Sequence, residues 1–171
     1  NDALAEQFEE HRVRLRAIAY RMLGSLSDAD DAVQETWLRL SNTGGEDVDN
    51  LGGWLTTVVA RVCLNVLRSR RTRRELSHDP HVPDPVIHPA DARTEPEYQA
   101  VLADAVGLAL LVILDALPPA ERLALVLHDM FGVPFDEIGS MLGRSPAATR
   151  KLASRARRRI QQAPTPDRDP S

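Results

Sequence analysis

Apolar residues return every third or fourth position along most of the chain, and glycine, proline and short polar stretches separate the runs. That pattern predicts helices and no strands. In the first run, over 3–23, Leu4, Phe8, Leu15, Ile18, Ala19, Met22 and Leu23 share one side, and Gly24 ends it. Ser27 is the expected cap of a second helix, and Asp28, Asp30 and Asp31 crowd its first turn, where the helix dipole favours anions. The helix runs on to Leu40 with Ala32 or Val33, Trp37 and Leu40 facing inward, which leaves Asp31, Gln34 and Glu35 together outside. A polar loop over 41–50 follows. A long helix then runs from Leu51 to about Arg74, with Trp54, Leu55, Val58, Val62, Leu64, Val66 and Leu67 as its apolar members.

From Ser77 to Pro96 the periodicity stops. Five prolines with scattered aspartates predict an extended acidic linker over 77–97, between a first module at 1–76 and a second at 98–162. Such a tether predicts modules that sample many relative positions or dock weakly through apolar faces. Helix resumes near Tyr98, passes through the very apolar Ala105–Leu117 run and breaks at Pro118 and Pro119, and Ala120–Phe131 forms another helix. Phe135, Ile138, Met141 and Leu142 then make a short amphipathic helix that Gly143 ends. Ser145 is a cap and Pro146 a first helical residue, with a narrow seam of Ala148, Leu152, Ala156 and Ile160 beyond them. A short helix, a glycine turn and a second helix match the helix-turn-helix motif, whose second helix enters the DNA major groove. Residues 163–171 read as a disordered tail. The fold class expected is all-α.

Charge sharpens this picture. The net charge of −4 does not announce a nucleic-acid binder, but its distribution does. Residues 76–117 hold seven acids against one arginine, while Arg144–Ile160 carries six arginines and one lysine and no acid. The long helix of the first module ends in five arginines within Arg68–Arg74. Basic charge beside a stacking ring such as Trp54 suits a single-stranded nucleic-acid surface.

Other chemistry is thin. One cysteine, Cys63, excludes an intramolecular disulfide and a multi-cysteine zinc site, and its valine neighbours predict a buried thiol. Caps and dipole partners account for the aspartate triplet without a metal. His78, His81 and His88 lie on the linker with no rigid scaffold, so no metal site and no cofactor are expected. Without a membrane-length apolar run or a signal-peptide pattern, the expected location is the cytoplasm. The sequence opens at Asn1 without a methionine.

Two blocks then resemble a known family. DADDAVQETWLRL followed by GGWLTTVVARVCLNVLRSRR resembles region two of the extracytoplasmic function (ECF) sigma factors of the sigma-70 family. LPPAERLALVLHDMFGVPFDEIGSMLGRSPAATRKLASRARRRI resembles their region four. The resemblance implies a subunit that binds core RNA polymerase, directs transcription initiation at promoters and performs no chemistry itself. It implies that Asp31, Gln34 and Glu35 meet the clamp helices of the polymerase β′ subunit. Minus-ten contacts fall on the 41–50 loop, Trp54, Arg61, Asn65, Arg68 and Arg71. Region four implies contact with the polymerase β flap and minus-thirty-five contacts at Arg144, Ser145, Thr149, Arg150, Lys151, Ser154, Arg155 and Arg157, with Ala156 also on the family's pattern. Arg150 is the expected base reader, and Arg158 and Arg159 the phosphate holders. Ala148 and Thr149 are smaller than is usual in the family, so base preference does not carry over. VARVCLNVLRSRR and the linker motif His81–Pro85 resemble one subgroup with a fused SnoaL-like C-terminal domain that regulates activity in place of an anti-sigma factor. The sequence stops shortly after the recognition helix without that domain, so a regulatory domain or an anti-sigma factor is an expected partner.

Two other readings stand beside this one. A free-standing helix-turn-helix regulator would need a dimerisation surface where residues 1–75 offer a second basic one. A hydrolase using Asp28, Asp30, Asp31 and the linker histidines would need a pocket that small helical modules hardly supply.

Overall fold

The computed structural model describes residues 2–45, 48–77 and 105–162, and the expected linker and C-terminal tail lie outside the described residues apart from Ser77. Every regular element among the described residues is helical. Helices α1 (Asp2–Leu23), α2 (Leu26–Thr43) and α3 (Leu51–Ser77) pack against one another as a three-helix module. Phe8, Leu15, Ile18 and Met22 of α1 are buried with Val33 and Leu40 of α2 and Leu55, Val59 and Cys63 of α3. Burial pushes the Cys63 thiol up to about 12, so it stays protonated in the core.

The turns differ in detail from expectation. Ser25, and not Ser27, caps α2, its hydroxyl accepting from the Asp28 amide at 3.3 Å. Gly24 takes a left-handed φ of 76°, so the chain reverses at once, Ser25 is left extended, and the cap falls two residues earlier than the serine pattern suggests. Helix α2 continues three residues past Leu40, which shortens the 41–50 loop. Asn50 then starts α3, its side chain accepting from the Gly53 amide at 3.1 Å.

The second module comprises α4 (Ala105–Asp115), α5 (Pro119–Leu125), α6 (Phe135–Leu142) and α7 (Pro146–Gln162). Helix α5 widens into a π-helical turn over Val126–Met130, a feature that apolar periodicity does not reveal. Gly132 closes it with φ 69°, and the Val133 amide returns to the Leu127 carbonyl at 2.9 Å. Helices α6 and α7 form the expected helix-turn-helix, with Gly143 at φ 68° and the Ser145 hydroxyl accepting from the Ala148 amide at 3.1 Å. The buried seam of α7 is Thr149, Leu152, Ala153 and Ala156, with Ile160 half-buried.

The modules are packed together, and the centre of their contact is an arginine. Arg122 of α5 is 1% exposed. Its Nε and Nη2 donate to the Arg21 carbonyl at 3.0 and 2.8 Å, and its Nη1 to Asp115 at 3.2 Å. Arg70 of α3 donates to the Leu23 carbonyl at 3.1 Å and pairs with Asp28. Two guanidinium groups thus satisfy the carbonyls at the C-terminus of α1, where the helix dipole favours cations. Apolar side chains of both modules belong to one continuous core, and a buried polar contact whose partner is a helix end is added to that apolar docking.

Candidate nucleic-acid and partner interface

Helical geometry sets the first surface. On α2, Asp31, Gln34 and Leu38 follow at intervals of three and four, and Asp31 and Gln34 are exposed. Glu35 is half-buried beside them and pairs with Arg39 at 3.3 Å. Leu38, 48% exposed, adds an apolar side chain to this face that the sequence reading missed. Its signal was a leucine on the polar side of an amphipathic helix. Asp28 and Asp30 belong elsewhere, held by Arg70 and by Arg16, the latter at 2.9 Å.

A second surface runs along α3. Trp54, Arg61, Asn65 and Arg68 are separated by seven, four and three residues, so they line one side of the helix. Trp54 is half-buried against the core, and the other three are exposed. Arg71 stands beside this row with Glu75 at 3.5 Å.

The third surface is α7. Opposite its buried seam stand Lys151, Ser154, Arg155 and Arg158, and Arg150 and Arg157, seven residues apart, flank them. These cations differ in how they are held. Arg157 gives Nε and Nη2 to Asp129 at 2.7 and 2.5 Å, which holds the Asp129 carboxyl below its ordinary value and raises Arg157. Arg159 donates to the buried Glu121 at 2.8 Å, so its guanidinium is tied to the module and is not simply a free phosphate holder. Arg150 lies over the Phe135 ring, 5.5 Å from its centroid. Thr149 must be removed from the DNA-facing set, because it is 0% exposed and its hydroxyl donates to the Ser145 carbonyl at 2.8 Å. It faces α6 at Gly139, where the two helices approach closely. Ser145 is exposed, although its hydroxyl is engaged as the cap.

The structure brings together two sets of arginines that the sequence places far apart. A cleft of about 580 Å³ has Arg68, Arg71, Thr72 and Glu75 on one wall and Pro118–Glu121, Arg144, Leu152 and Arg155 on the other. No helix among the described residues is long and apolar enough to cross a membrane.

Residues 7–73 match the model of sigma-70 region 2, and residues 107–160 match that of sigma-70 region 4. The chain is 44% identical over 158 residues to the ECF RNA polymerase sigma factor SigJ of Mycobacterium tuberculosis, across 92% of this chain and 50% of that protein. It is 30% identical over 160 residues to the ECF RNA polymerase sigma factor SigM of the same species, across 92% of this chain and 75% of that one. The crystal structure of Mycobacterium tuberculosis SigJ is similar at a TM-score of 0.69 and 40% identity, over 93% of this chain and 53% of that chain. The sigma factor RpoE of Bartonella quintana, solved in complex with the anti-sigma factor NepR, shares the fold at a TM-score of 0.67 and 21% identity, over 94% and 96% of the two chains. The chain spans about half the length of SigJ and of the probable sigma factor SigI, at 50% and 56%.

Proposed function

Since this chain belongs to the ECF sigma factors of the sigma-70 family, we propose that it binds core RNA polymerase in the cytoplasm and directs it to promoters. The observation that carries the reading is two family regions in order, each with its own row of cations on an exposed helix face. A free-standing regulator accounts for α7 and leaves the α3 row without a purpose.

In this reading the exposed face of α2, Asp31, Gln34 and Glu35 with Leu38, meets the β′ clamp helices. The 41–50 loop, Trp54, Arg61, Asn65, Arg68 and Arg71 hold the melted minus-ten strand, where a ring stacks on bases and arginines hold phosphates. On the minus-thirty-five duplex, Arg150 reads a base edge, and Arg144, Lys151, Ser154, Arg155 and Arg158 hold the backbone. The module carrying α7 also meets the β flap. The protein adds positioning and no chemistry of its own. SigJ and SigI are about twice as long as the stretch each shares with this chain, which supports the subgroup with a fused regulatory domain. An anti-sigma factor, the partner of RpoE in its solved complex, is the alternative regulator.

Reconstitution with core polymerase and a promoter library, read by transcript start sites, tests the reading. Changing Asp31, Gln34 and Glu35 together to alanine should abolish co-purification with core polymerase while helicity by circular dichroism stays at the wild-type level. Co-purification of that triple variant at wild-type yield would overturn the polymerase assignment.

A further inference from the structure

The π-helical turn Val126–Met130 presents two consecutive polar side chains, His128 and Asp129, and each leads to one arginine of α7. The His128 ring is fixed by a 3.0 Å contact between Nδ1 and the Val133 carbonyl. It stacks on Phe135 with centroids 3.7 Å apart and planes 20° from parallel, and the Arg150 guanidinium lies over that same Phe135 ring. Asp129, the next residue, takes the fork of Arg157.

These two modes of holding an arginine have opposite consequences. A guanidinium lying over a ring is held without a hydrogen bond, so its N–H donors stay free. Those donors are what a bidentate contact to guanine O6 and N7 requires. A fork closed on a carboxylate has already used two of them. Arg150 and Arg157 lie seven residues apart on one flank of α7, so nothing in their spacing tells them apart.

Resting on the promoter-binding reading above, we propose that Phe135, supported by His128, positions Arg150 as a base reader. The same turn withholds Arg157 from the DNA through Asp129. Phe135 and His128 are then positioning residues that touch no DNA themselves, and the widened turn sets which of two equivalent arginines carries sequence specificity.

The test uses holoenzyme reconstituted from the full chain and core polymerase, transcribing a promoter library randomised over the minus-thirty-five element. Arg150→Ala should flatten the base preference at one position by about tenfold. Phe135→Leu should flatten the same position, the double variant should lose no more than either single one, and Phe135→Tyr should keep the preference. Asp129→Asn should free Arg157 and add a base preference that the wild-type protein lacks, while the position read by Arg150 keeps its own. A library without preference in the wild-type protein, or an Arg150→Ala variant that keeps it, sinks the reading of Arg150 itself. If Arg150→Ala flattens the profile and a folded Phe135→Leu variant does not, the positioning role is wrong. Should Phe135→Leu fail to fold, His128→Ala stands in for it under the same criterion. A profile unchanged by Asp129→Asn would show that the carboxylate does not withhold Arg157.

Discussion

At the residue scale, the second module turns on one position where no side chain fits. A Cβ placed on Gly139 would lie 2.5 Å from the Arg144 carbonyl oxygen and 3.1 Å from the Thr149 hydroxyl. The first neighbour is backbone of the helix-turn-helix turn and cannot swing aside. Gly139→Ala should therefore destabilise the protein by ~1–3 kcal/mol, the usual range for overpacking. A thermal melt checks this, since each kcal/mol lowers the midpoint by roughly 2–4 °C in a chain of this size. An unchanged midpoint would mean that the helices part easily at this crossing. The same closeness explains why Thr149, on the pattern of a DNA contact, is lost to the interior.

At the element scale, α7 is fixed to α5 and its π-helical turn by charge as well as by its apolar seam. The Arg157 hydrogen bonds hold the Asp129 carboxyl below its ordinary value, against a smaller opposing effect of burial. A carboxyl depressed in the folded state adds stability that is complete above its unfolded pKa and lost as pH falls through the folded one. The contact between the π-helical turn and α7 should accordingly hold at neutral pH and weaken only in acid, below about pH 4. A carbon-13 titration should place the Asp129 midpoint below the ordinary aspartate range and return it there in Arg157→Ala. Equal midpoints in the two proteins would show that the pair does not persist in solution.

At the scale of the whole molecule, the docked arrangement and the proposed task conflict. Promoter elements named minus ten and minus thirty-five are about 25 base pairs apart, roughly 85 Å of duplex at 3.4 Å per pair. Arg68 and Arg71 share one cleft with Arg144 and Arg155, so the modules must part before both elements are held. The 27 residues of 78–104 span at most roughly 90 Å when extended, which is enough. Labels at Val13→Cys and Gln161→Cys in a Cys63→Ala background should give one short, narrow distance in the free protein and a longer one in promoter-bound holoenzyme. Arg122→Ala should broaden the free-protein distribution while leaving helicity intact, because it removes both donors to the Arg21 carbonyl. A broad distribution already present in the wild-type protein would show that this contact does not hold the modules.

The sequence alone determined what depends on neighbours in the chain. The 3.6-residue period of Phe8, Leu15, Ile18 and Met22 located α1, Gly143 and Ser145 marked the helix-turn-helix turn, and the polar side of α2 singled out Asp31 and Gln34. Local geometry decides such features, so local spacing reveals them. Tertiary structure decided what depends on residues far apart in the chain. Spacing puts Arg150 and Arg157 on one flank of α7, yet Asp129 holds Arg157 and Phe135 carries Arg150, while Glu121 holds Arg159. No local pattern marks Arg122 for burial; α1 presents its C-terminal carbonyls from 101 positions away and makes burial of that charge tolerable. A guanidinium's role follows from its acceptor, and the acceptors here come from other elements.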